Sequence, residues 1–183
     1  MILDCWLEHW ILKPVDSREM LEFKSDTAFD SPIPLESMRD VPYGSLTDRA
    51  HLLDILRPRA TTDSPRAVAI HLHGGGWTQY GKHLEDCVSL AEAGFCAISI
   101  NYRYAQEAVF PAQLEDATLA LRWVREHAND LNIDPSRVYV WGISAGGHIA
   151  AMLGMQAEES ARRRRDLRPE RPDRSKRVAR RVR

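Results

Sequence analysis

Apolar residues recur in short runs between Leu52 and Trp141, and the period of the runs switches between two and about three and a half. Residues 52–56, closed by Arg57-Pro58, predict a strand. Residues 67–72 predict a second, with Val68, Ile70 and Leu72 on one face and Ala67, Ala69 and His71 on the other. Leu84, Cys87, Val88 and Ala91 then repeat at helical spacing, and Gly94 stands where a helix C-cap belongs. Residues 95–100 are almost wholly apolar, the composition of a strand covered on both faces. Pro111 suits the first turn of a helix whose buried stripe is Leu114, Ala117, Leu121, Val124 and Ala128. Asp134-Pro135-Ser136 reads as a turn, residues 138–141 as a fourth strand, and Gly146 to about Gln156 as a further helix. Alternation in this order predicts an α/β fold, a mainly parallel sheet with right-handed crossovers and flanking helices.

The ends depart from this pattern. Residues 1–45 read as an irregular arm or partial lid, with Trp6, Leu7, Trp10 and Ile11 on one helical face before a stretch rich in Pro and Asp. Residues 46–157 form the predicted core, and residues 158–183 a basic tail expected to be disordered. The formal charge of the whole chain is −1. That balance hides an asymmetry, because nearly half of the 25 Lys and Arg lie beyond residue 160, with few carboxylates among them. No aromatics interleave with these arginines, so any nucleic-acid or lipid binding by the tail would be non-specific and salt-sensitive. The other reading of the tail is an out-of-frame or aberrant C-terminus, which the coding DNA would reveal. Cys5, Cys87 and Cys96 form no disulfide pattern, and Cys87 and Cys96 fall on predicted buried positions. The first residues have no signal-peptide character, and no apolar run approaches the roughly 18 residues of a membrane span. A cytoplasmic location is the expectation.

Two motifs carry candidate chemistry. In residues 138–148, a strand runs directly into Gly142-Ile-Ser144-Ala145-Gly146 and then into a helix. A serine nucleophile needs such a sharp turn, flanking glycines allow close backbone approach, and the helix start aims N–H groups at a developing oxyanion. A merely structural turn is the alternative. Directly after the second strand comes His73-Gly74-Gly75-Gly76-Trp77. Successive glycines expose backbone N–H groups, which makes Gly74 and Gly75, together with Ala145, the candidate oxyanion donors. A flexible turn or a phosphate loop is the alternative, but the G-x-G-x-x-G spacing is absent. His71 and His73 share a strand face without a convincing third metal ligand. His148 lies one turn along the helix from Ser144, which suits capping or packing. Asp116 is expected on a helix surface, Asp134 in its turn, and Trp77 at a pocket wall or in plain packing.

Together with Asn101-Tyr-Arg103, Phe110-Pro-Ala112, Glu115-Asp116 and residues 134–138, these motifs resemble the α/β-hydrolase serine esterases of the hormone-sensitive-lipase and feruloyl-esterase-like carboxylesterase group. The resemblance covers roughly residues 40–157. It implies hydrolysis of a carboxylic ester, or of an aryl formamide, through an acyl-enzyme on Ser144, with no cofactor or metal. The small-molecule ester is the implied partner; oligomeric state and acyl or alcohol specificity are not legible. Such chemistry needs an acid and then a base after the serine in chain order. His148 is the one histidine there, and Glu158, Glu159, Asp166, Glu170 and Asp173 stand in no strand–loop context. No triad acid or base is assigned, the fold reads as incomplete in its C-terminal half, and impaired turnover is expected. A non-catalytic protein using its basic tail is the competing class.

Overall fold

The computed structural model describes residues 22–45 and 49–166. Six strands form one sheet: β1 (Lys24–Asp26), β2 (Leu35–Pro42), β3 (Leu52–Pro58), β4 (Arg66–Leu72), β5 (Cys96–Ile100) and β6 (Ile133–Gly142). Their order across the sheet is β1-β2-β3-β5-β4-β6. Among the described residues three α-helices accompany them: α1 (Val88–Glu92), α2 (Ala112–Glu126) and α3 (Ala145–Asp166). The sheet is mixed. β5, β4 and β6 are parallel, joined by helical crossovers, whereas β1, β2, β3 and β5 pair antiparallel.

The expected alternation of faces is observed. Leu53, Ile55, Val68, Ile70, Leu72, Ile98 and Ile100 form one core with Leu114, Ala117, Ala120 and Val124 of α2 and with Ile149 and Leu153 of α3. Leu35, Leu56 and Ala97 meet Leu84, Cys87 and Ala91 on the opposite face. β5 is buried at every position, as a strand covered on both faces must be. Cys87 and Cys96 are free and buried, and burial pushes both thiols up to about 12; Cys5 lies outside the described residues.

Several expectations are corrected. Residues 22–45 are not wholly irregular: β1 and β2 lengthen the sheet, with Leu35, Met38 and Val41 buried. The segment predicted as one helix from Leu84 is a single 3-10 turn, Glu85–Cys87, followed by the five residues of α1. Gly94 (φ 95°) ends it as expected. In α2 the stripe closes on Ala120 rather than the half-buried Leu121. β6 is ten residues long and absorbs the predicted turn as an irregularity opposite β4. There Asp134 holds the Ser136 N–H at 2.9 Å and the Arg137 Nε at 2.7 Å. The chain divides into two compact units, up to Leu153 and from Gly154. In the second, α3 runs on to Asp166, with Arg162 donating to Glu158 one turn back at 2.7 Å, so the tail is helical at its start. The Trp6–Ile11 face and the arginines beyond Asp166 lie outside the described residues.

Candidate active site

β4 and β6 lie side by side and parallel, in a register that pairs Leu72 with Gly142. The loops that follow them therefore leave the sheet at the same level. One is the His73–Trp77 glycine loop and the other the turn through Ile143 and Ser144 into α3. The Ile143 N–H donates to the Leu72 carbonyl at 3.3 Å, and Gly146 N to Ile143 O at 2.9 Å closes the turn. Ser144 sits at φ 52°, a left-handed conformation that costs a non-glycine residue about 1–2 kcal/mol. Its side chain is exposed. The close approach explains the glycines: a Cβ on Gly146 would run into the Leu72 carbonyl, and one on Gly142 would lie 2.7 Å from the same oxygen.

The glycine loop faces the serine. A Cβ on Gly74 would stand 3.6 Å from Ser144 Cβ and 3.1 Å from the Ile143 carbonyl. Gly75 has φ 96°, and Gly76 (φ 59°) and Trp77 (φ 61°) continue the left-handed path. Among the described residues, no hydrogen bond engages the N–H of Gly74, Gly75 or Ala145. Trp77 packs its ring edge-on to His148 at 5.6 Å, beside the first turn of α3.

His73 is buried and stacks on Tyr102, with ring centroids 4.2 Å apart and planes 5° from parallel. Its Nδ1 lies 2.8 Å from the Gly74 carbonyl oxygen, which can only accept, so Nδ1 carries the proton. Nε2 is buried without a partner among the described residues, and burial lowers the imidazole to about 4. Tyr102 donates its hydroxyl to the His73 carbonyl at 2.7 Å. His71 turns to Ser99 at 3.2 Å and shares no ligand with His73.

Asp116, expected at a surface, is buried. Burial works against its charge, but hydrogen bonds from His51 (3.0 Å) and Arg103 (2.7 Å) prevail and hold the carboxyl below its usual range. The motif Asn101-Tyr-Arg103 thus ties four segments together. Asn101 binds Lys82 N and Arg49 O, Tyr102 the glycine loop, and Arg103 the start of α2. The motif is legible in the sequence, but the part played by Tyr102 is not. The signal lay in the register: Ile100 pairs with Leu72, so the residues just after both strands are neighbours.

A strand-to-helix turn bearing an exposed left-handed serine, beside a glycine loop with free N–H groups, on a parallel β5-β4-β6 sheet, defines the α/β-hydrolase fold. The BD-FAE family model matches residues 53–179, and the chain belongs to this family. The chain is 41% identical over 124 residues to carboxylesterase NlhH of Mycobacterium tuberculosis, covering 66% of this chain and 38% of that protein. It is 32% identical over 130 residues to an arylesterase of Saccharolobus solfataricus, covering 69% and 42%. Among solved structures, a hyperthermophilic esterase from Pyrobaculum calidifontis matches with a TM-score of 0.56 at 31% identity, covering 72% of this chain and 42% of that one. Esterase B from Lactobacillus rhamnosis matches with a TM-score of 0.61 at 26% identity, covering 68% and 41%. The chain thus spans about two fifths of the length of these relatives.

Proposed function

We propose that the chain carries the nucleophile half of a serine esterase acting on a small-molecule carboxylic ester. Ser144 Oγ attacks the acyl carbon, the carbonyl π pair moves to oxygen, and the N–H groups of Gly74, Gly75 and Ala145 receive that oxyanion. Collapse of the adduct breaks the ester C–O bond, the leaving oxygen takes up the proton that Oγ gave and departs as the alcohol, and water then hydrolyses the acyl-serine that remains. The supporting observation is the Leu72–Gly142 register, which brings a serine and a loop of unengaged N–H groups to one end of the sheet.

The proton on Oγ must pass to a base. The described imidazoles are otherwise engaged: His51 with Asp116, His71 with Ser99, His73 with Gly74, His83 with Glu85, His127 with Trp123 O and His148 against Trp77. We assign the base and its orienting acid to none of them. Turnover through the acyl-serine is then expected to be far slower than in an esterase with a complete triad, and still to depend on Ser144. Two buried free thiols, Cys87 and Cys96, suit a reducing compartment, and we place the protein in the cytoplasm. Hydrolysis of a short-chain p-nitrophenyl ester by the purified chain, beside its Ser144→Ala variant, tests the reading. Release that the substitution abolishes supports it; equal rates contradict it.

A further inference from the structure

Each peptide unit is planar and trans, so its carbonyl and its N–H point in opposite directions. Fixing the carbonyl therefore aims the N–H. The His73 carbonyl belongs to the peptide unit whose other end is the Gly74 N–H, and the Gly74 carbonyl to the unit whose other end is the Gly75 N–H. Tyr102 Oη stands 2.7 Å from the first carbonyl oxygen and 3.4 Å from the second. His73 Nδ1 takes the second at 2.8 Å, and the tyrosine ring lies flat against that imidazole at 4.2 Å. The glycines have no side chains to hold these planes, and Gly75 at φ 96° adopts a conformation that glycine takes most readily. Tyr102 is fully buried just beyond β5, so it is a fixed post beside the glycine loop.

We propose that Tyr102 is a positioning residue for the oxyanion donors. Its hydroxyl anchors the Gly74 peptide plane directly, and its ring holds His73 where that imidazole anchors the Gly75 plane. The hydroxyl is the donor in the first contact, and a phenylalanine would keep the stack while releasing the carbonyl. This inference rests on the esterase reading for its catalytic meaning, but the anchoring itself is a statement about the loop.

The test compares the full chain with Tyr102→Phe by two readouts. The first is the backbone amide resonances of Gly74 and Gly75, followed with those of Val68–Leu72 as internal controls. The second is kcat and KM for a short-chain p-nitrophenyl ester. The expected result is movement of the two glycine resonances with β4 unchanged. Where turnover requires Ser144, kcat falls about tenfold to a hundredfold, less than full removal of an oxyanion donor, while KM stays within about twofold. Unmoved glycine resonances overturn the proposal, whatever the activity of the chain. A kcat within about twofold of wild type, in a chain whose turnover requires Ser144, also overturns it. Absence of Ser144-dependent turnover counts against the esterase reading alone, since the resonances decide the anchoring separately. If Tyr102→Phe does not fold, His73→Asn and His73→Leu replace it. Asparagine keeps a donor near the position of Nδ1 and should preserve the Gly75 resonance, whereas leucine should move it; equal effects of the two overturn the proposal.

Discussion

His73 stays neutral in the folded protein down to about pH 4 because it is buried, with Nε2 unpartnered and Nδ1 already bonded to Gly74. In the unfolded chain an imidazole takes its proton near pH 6.5. Between those values the unfolded state binds more protons, so stability falls on acidification, and the contribution is fully present above pH 6.5. Urea unfolding from pH 7 to pH 4 should show a loss about 3 kcal/mol larger in the wild type than in His73→Asn; equal losses would show that His73 titrates normally. Asp116 makes a second prediction. Removing its charge leaves His51 and the half-buried Arg103 facing a neutral amide, so Asp116→Asn should cost about 3 kcal/mol in a urea titration, and a cost below about 1 kcal/mol would contradict the buried network. Periodicity identified the apolar neighbours of Asp116 but misplaced the aspartate itself. Its burial depends on His51 and Arg103 arriving from other segments, which a local pattern does not encode. Ser144 and the glycines were legible because their chemistry and their turn geometry demand the same residues.

Between the residues and the sheet stands the packing of the turn before α3 against the end of β4. Gly146 meets the Leu72 and His73 carbonyls so closely that a methyl group cannot enter without moving main chain. In an ordinary helix alanine would be about 1 kcal/mol better than glycine. Here Gly146→Ala should instead destabilise, by about 2 kcal/mol or more, with the loss read as a lower denaturant midpoint; a gain in stability would contradict the contact. The strands β3, β4 and β5 were legible almost to the residue, since their faces alternate or are wholly apolar. β1 and β2 were not: Pro34 and Pro42 and the charges of residues 36–40 mask the buried Leu35, Met38 and Val41. The helix expected from Leu84 keeps its buried positions but tightens into a 3-10 turn, because i, i+3, i+4 spacing alone does not separate a short α-helix from a 3-10 start.

Taken whole, the sheet has its parallel half ending at β6, which pairs on one side only, with β4, among the described residues. Tyr139 on β6 and Ile143 just beyond it are more than half exposed. Open backbone donors and acceptors beside apolar side chains favour association. Light scattering should therefore show the chain self-associating with concentration, and Tyr139→Lys should reduce this; a clean monomer across the range would contradict it. No described helix is long and apolar enough to cross a membrane. Against this background the central claim is that Ser144 is a nucleophile facing an oxyanion hole. The most direct measurement is peptide mass spectrometry after exposure of the chain to an alkyl p-nitrophenyl phosphonate. The account predicts one covalent adduct, on the peptide that contains Ser144, absent from Ser144→Ala. No adduct, or one equally present in the variant, would contradict it.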